Sequence, residues 1–162
     1  MGSGKTETGR ILAERLACSF TDLDAYIEHK AGCSIASIFK EKGESRFRAL
    51  EAEAVRDLLV MDFVEGKDSV IALGGGTFTT KPVRELLLEQ AVCVYLETGP
   101  ETLECRLKNS GDSRPLLAEH NIAELLESRK GFYEQSGIKV STDGRTPDEV
   151  AETIFLALRD MR

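Results

Sequence analysis

The sequence predicts an α/β fold: a single domain, residues 1–162, in which a parallel sheet is flanked by helices on both faces. Three observations carry that prediction. Short apolar runs of strand character alternate with stretches of helical periodicity along the whole chain, the pattern of parallel strands joined by helical crossovers. The chain opens on Gly2-Ser3-Gly4-Lys5-Thr6 and passes straight into a helical periodicity. Its early strands run out into acids (Asp22-Leu23-Asp24) and into glycines (Gly74-Gly75-Gly76), and in sheets of this class the carboxyl ends of the strands hold the ligand.

The opening stretch is the end of a phosphate-binding loop, G-x-x-x-x-G-K-[ST], whose first glycine would fall before Met1. Small residues at Gly2, Ser3 and Gly4 let backbone N–H groups close on phosphate oxygens, and a helix over 5–17 aims its positive end at the same anion. Lys5 can reach the β- and γ-phosphates as a point charge, and the Thr6 hydroxyl can hold Mg²⁺. A glycine-serine tag would look similar, but Ile11, Leu12, Leu16 and Ala17 carry on at helical spacing. Residues 18–24 read as a short strand ending in two acids. Two apart in a strand, Asp22 and Asp24 point the same way, so one suits Mg²⁺ and the other suits orienting or deprotonating an acceptor hydroxyl. An acid here also suits the cap of a helix over 25–31.

Residues 34–60 form a long helical region interrupted at Gly43. Ile35, Ile38 and Phe39 recur before the break, and Phe47, Leu50, Ala54, Val55 and Leu58 after it. Arg46, Arg48, Glu51 and Glu53 between them read, on their own, as a solvated face. Residues 69–73 are a buried strand running into Gly74, Gly75 and Gly76, which permit close approach of a ligand to the backbone or serve as a flexible turn. A helix over 83–90 and a buried strand over 91–96 follow. Pro100 suits the first turn of a helix that ends near 107. The polar stretch 108–120, with Arg114-Pro115-Leu116-Leu117 inside it, reads as a mobile lid carrying an arginine. Residues 121–136 are helical, with Arg129 and Tyr133 four apart. Residues 138–141 make the last strand, 143–145 turn, and Pro147 opens a helix to about 161. His29 and His120 lie among polar residues and receive no role.

Composition sets the partners. A net charge of −7 argues against nucleic acid. No apolar run is long enough to span a membrane, and no secretion signal is visible. Cys18, Cys33, Cys93 and Cys105 lack C-x-x-C spacing and read as reduced packing residues, with the cytoplasm as the compartment.

Taken together, the motifs resemble those of the shikimate kinase family over the whole chain. The matching stretches are GSGKT at 2–6, DLD at 22–24, SIASIFKEKGESRFRALE at 34–51, LGGG at 73–76, RPLL at 114–117 and SRKGFY at 128–133. The resemblance implies ATP-dependent phosphorylation of the 3-hydroxyl of shikimate, a step of chorismate and aromatic amino acid biosynthesis, by a monomer that needs Mg²⁺. By position, it implies that Asp24 holds and activates the acceptor hydroxyl. Arg48 and Arg129 would clamp the shikimate carboxylate, and Gly74, Gly75 and Gly76 would line the pocket with Phe39 and Phe47 as its apolar wall. Glu51 would hold Arg48, Thr6 and Asp22 would hold the metal, and Lys5 and Arg114 would neutralise the transferring phosphoryl group. Gly2, Ser3, Gly4, Arg106 and Arg145 would complete the nucleotide site, Arg106 and residues 142–147 lying where the family packs adenine.

Two departures stand out. The family order 2-3-1-4-5 includes a central strand and a first loop glycine ahead of the position of Met1. Without that strand two neighbours lose a ladder partner and a slot opens in the core, so a truncated chain or a misassigned start is expected. Glu7 also stands where the family usually has a small hydroxyl residue, and a carboxylate near the α-phosphate is unfavourable unless it points away. The alternatives are a non-catalytic module that kept the fold and another small-molecule kinase with this loop, such as a gluconate kinase-like enzyme. Paired Arg48 and Arg129 argue for a carboxylate on a ring-sized acceptor.

Overall fold

In a computed structural model, which describes residues 2–110 and 122–161, helices and parallel strands alternate as expected. The chain runs α1 (Lys5–Leu16), β1 (Ser19–Asp22), α2 (Leu23–Ala31), α3 (Ile35–Glu65), β2 (Ser69–Ala72), a 3₁₀ turn (Thr77–Thr79), α4 (Lys81–Gln90) and β3 (Val94–Glu97). It continues through α5 (Pro100–Ser110), α6 (Ile122–Tyr133), β4 (Ile138–Ser141) and α7 (Pro147–Asp160).

Local chemistry sets the boundaries. Gly4, in the left-handed region at φ 84°, turns the loop into α1. Gly9 lets α1 lie directly on β1, since a Cβ there would sit 2.6 Å from the Phe20 ring. Ser34 caps α3 by accepting from the Ser37 N–H, and Gly43 (φ 76°, ψ 173°) breaks α3 where the sequence places an interruption. Past the break α3 runs to Glu65, beyond the expected end at 60. Its last turn carries Met61, Phe63 and Val64 exposed, and Gly66 in the left-handed region stops it. Helix α5 likewise reaches Ser110 rather than 107.

One expectation fails in its geometry. Asp22 and Asp24 do not share a strand. β1 ends at Asp22, which becomes the N-cap of α2, and Asp24 already lies in the first helical turn. The capping chemistry of Asp22, whose Oδ1 accepts from the N–H groups of Asp24 and Ala25, ends the strand two residues early.

The four strands form two parallel pairs, β1 with β2 (Phe20 opposite Val70, Asp22 opposite Ala72) and β3 with β4 (Tyr95 opposite Lys139, Glu97 opposite Ser141). Between β2 and β3 lies the slot the sequence anticipates, a cavity of about 1640 Å³. Ile71, Leu87, Val94, Leu96 and Ile154 line it, and the exposed side chains of Phe63, Val92 and Met161 stand at its mouth. Two cores flank it. Leu23, Ile27, Ile38, Phe47, Val55 and Leu87 belong to one, and Leu12, Val140, Val150, Ala151 and Ile154 to the other. Helix α1 touches β1 and β2 on one side and α7 on the other, so the phosphate-binding loop at its start sits where the halves meet. None of the four cysteines is in a disulfide. Three are half-buried, but Cys105 is exposed and so is not the packing residue expected.

Candidate active site

The carboxyl ends of β1 and β2 and the start of α1 open on a cleft of about 570 Å³. Gly2, Ser3, Gly4, Lys5 and Thr6 line it, together with Asp22, Asp24, Gly74, Gly75, Arg106 and Arg145. Most of the residues singled out from the sequence therefore meet in one place.

On the loop side, Ser3 is buried and accepts a 3.3 Å hydrogen bond from Lys5 Nζ, which holds the ammonium over the loop. Thr6 Oγ1 donates to Asp22 Oδ2 at 2.7 Å. This pairs a hydroxyl and a carboxylate oxygen, hard donors of the kind Mg²⁺ takes alongside phosphate oxygens and water. Arg106 donates to the carbonyl of Gly2 (3.2 Å) and to the carbonyl of Thr142 (3.3 Å), tying the loop to the turn after β4. Arg145 folds back along α7, donating to the Glu149 carbonyl at 2.7 Å and to Thr153 Oγ1 at 2.5 Å. Glu7 is exposed in the first turn of α1, where a negative charge also suits the helix dipole.

On the opposite side of the cleft, Asp24 Oδ1 packs against Gly74, where an added Cβ would sit 2.8 Å away. The Arg48 guanidinium packs closely on Gly76, 2.3 Å from where a Cβ would stand, so a side chain there would displace the arginine. Arg48 Nη1 donates to Glu51 Oε2 at 2.6 Å, while its Nε and Nη2 hold Glu44 Oε1 at 3.2 and 2.9 Å. Burial works against the charge on Arg48, but the bonds to Glu51 and then to Glu44 outweigh it and raise its pKa above the ordinary value. Phe39 and Phe47 meet at 4.8 Å, and Arg48 sits 5.5 Å over the Phe47 ring. Arg129 Nη1 donates to the Gly75 carbonyl at 3.1 Å.

This chain belongs to the shikimate kinase family. The family model described as "Shikimate kinase" matches residues 1–159. A shikimate kinase of Thermus thermophilus is 44% identical over 158 residues, spanning 95% of this chain and 83% of the relative. One of Persephonella marina is 38% identical over 161 residues, spanning 98% and 94%. Among solved structures, a shikimate kinase from Acinetobacter baumannii in complex with shikimate superposes with a TM-score of 0.90 at 34% identity, covering 100% of this chain and 90% of that one. The Aquifex aeolicus enzyme gives a TM-score of 0.83 at 32% identity, covering 99% and 93%.

Against that family background, the structure brings Gly2 to Thr6, Asp22, Asp24, Gly74, Gly75 and Arg106 into one cleft, with Arg48, Gly76 and Arg129 beside it. Arg114 and most of the expected lid, 108–120, lie outside the described residues. Three supporting residues carry no clear signal in the sequence. Thr77, fully buried, donates to Glu51 Oε1 at 2.6 Å and so fixes the carboxylate that holds Arg48; its place directly after three glycines is the one hint. Glu44 looks like one more charge on a helix. Arg84 looks solvated but is buried, donating to the carbonyls of Phe78 and Thr79 (both 3.2 Å) and to Gln135 Oε1 (3.0 Å), which pins the turn after the glycines to α6.

Proposed function

We propose that this protein transfers the γ-phosphoryl group of ATP to the 3-hydroxyl of shikimate, giving shikimate 3-phosphate and ADP. Family membership supports the reading. The observation that carries it for this chain is the meeting of a phosphate-binding loop with Asp24, Gly74 and Gly75 in one cleft, beside two arginines.

The chain's own residues then divide the work. The loop amides and Lys5 hold the β- and γ-phosphates and draw off charge as the bond to the leaving oxygen lengthens. Arg48 and Arg129 take the acceptor's carboxylate, Arg48 exchanging its exposed outer partner Glu44 for the ligand while Glu51 keeps the guanidinium in place. Asp24 accepts a hydrogen bond from the attacking hydroxyl and receives its proton as the new P–O bond forms. Thr6 and Asp22 would hold Mg²⁺, which neutralises phosphate charge when bound. Arg114 would close from the lid and help to exclude water. Arg106 and Arg145 would frame the adenine end. The protein would act as a cytoplasmic monomer, with neither nucleic acid nor membrane as a partner. No helix among the described residues is long and apolar enough to cross a membrane.

The test is ADP release coupled to a spectroscopic readout, with ATP and Mg²⁺, comparing shikimate, gluconate and no acceptor. Release that depends on shikimate is the expected result. Release with gluconate instead would move the substrate class, and binding of both ligands without turnover would leave a binding module.

A further inference from the structure

Arg129 has two tasks that conflict. It donates to the Gly75 carbonyl at 3.1 Å. To take a carboxylate it must redirect that donation, and a partly buried carbonyl left without a donor is costly. The Gly75 carbonyl, however, has a second donor. The Tyr133 hydroxyl, one helical turn along α6 from Arg129, hydrogen-bonds the same oxygen.

We propose that Tyr133 is a positioning residue for the acceptor site: its hydroxyl keeps the Gly75 carbonyl paired, so that Arg129 is released to the acceptor's carboxylate. The inference rests on the role given to Arg129 above. Three features support it. The Tyr133 ring stacks on Tyr95 of β3, with centroids 5.1 Å apart and planes 29° apart, so the hydroxyl is placed from outside the glycine loop. Burial raises the Tyr133 pKa against the opposing pull of Arg129, so the group stays a protonated donor at neutral pH. Three successive glycines leave the peptide planes free to turn, and a carbonyl anchored in a trans peptide fixes the opposite direction of the next N–H. Holding Gly75 therefore also fixes the Gly75–Gly76 peptide beneath the Arg48 guanidinium, which packs closely on Gly76.

Tyr133→Phe removes the hydroxyl and keeps the stacked ring. Steady-state kinetics of this variant, of Arg129→Ala and of the double variant decide the matter. The expected result is a rise of about tenfold in KM for shikimate in Tyr133→Phe, the size of one lost hydrogen bond, with kcat and KM for ATP changed by less than about twofold. In the Arg129→Ala background, Tyr133→Phe should raise KM no further, because there is no longer an arginine to release. An unchanged KM in Tyr133→Phe overturns the proposal, as does an equal loss in KM for ATP or kcat, which would mark a packing role, or additive effects in the double variant. If Arg129→Ala itself leaves KM for shikimate unchanged, the role of Arg129 is wrong and the inference falls with it. If Arg129→Ala raises KM and Tyr133→Phe does not, the inference alone fails.

Discussion

Asp24 reaches the cleft from a helix rather than from a strand. It stands in the first turn of α2, with its Oδ1 against the glycine loop. Asp24→Asn keeps that packing and removes the proton acceptor. Turnover should fall about a hundredfold or more while KM for ATP stays put, and normal turnover would remove Asp24 from the chemistry. Glu51 illustrates a different kind of dependence. It is 2% exposed, with one oxygen on Thr77 and the other on Arg48. Glu51→Gln trades a charge-assisted bond for a neutral one and gives Thr77 an acceptor only if the amide oxygen faces it. Denaturant unfolding should show a loss of about 1–3 kcal/mol, with KM for shikimate raised through Arg48. An unchanged KM with lower stability would mean that Arg48 is held well enough by Glu44.

Among the elements, α1 and α7 show how much of the architecture is written locally. Gly9 sits where α1 crosses β1, and Gly9→Ala would drive a methyl into Phe20. A loss of about 1–3 kcal/mol in denaturant unfolding is expected, although alanine is the better helix former; a stabilised variant would show that Phe20 moves aside freely. Helix α7 begins with a reciprocal cap, the Thr146 side chain accepting from the Glu149 N–H and the Glu149 carboxylate accepting from the Thr146 N–H. The Thr146 backbone bond, then its hydroxyl, holds the Glu149 pKa below the ordinary 4.5. Since the folded value is depressed, the carboxylate's contribution is in place above the unfolded pKa and disappears as pH falls through the folded one. Fraying of the α7 start should therefore appear below about pH 4.5 in amide NMR shifts and be absent from Glu149→Gln, which lacks the titration. These signals were legible because they are short-range: a glycine at a crossing, a Thr-x-x-Glu before a helix, GSGKT before another. The same holds for Thr6 beside Asp22, whose residue types announce the pairing. Asp24 reaches the cleft from a helix where the sequence expects a strand, since the capping strength of Asp22 decides whether the strand continues and periodicity cannot weigh that. Arg84 and Thr77 were illegible for the opposite reason. Thr77 meets Glu51 and Arg84 meets Gln135 across long stretches of sequence, and an arginine among helical polar residues looks the same whether it faces water or a turn of carbonyls.

The whole molecule is two half-sheets joined through α1 and divided by an apolar slot. The division follows function. β1 and β2 lead to the carboxylates and the glycine loop, whereas β3 and β4 lead to Thr142, which Arg106 ties to the loop. An apolar fluorescent dye should bind the native 162-residue chain and brighten, and Ile71→Asp, which puts a charge on the slot wall, should reduce that signal. No brightening under native conditions would show the slot to be closed in solution.

The slot also sets a clock on the backbone. Along β3, the Cys93 and Glu97 carbonyls accept from the Ile138 and Thr142 N–H groups, and Tyr95 lies opposite Lys139, so every second peptide group turns toward β4. Val94 and Leu96 turn theirs the other way, into the slot. In heavy water their amides should trade hydrogen for deuterium well ahead of those of Tyr95 and Glu97, an alternation of fast and slow, residue by residue, in a strand that lies at the centre of the molecule.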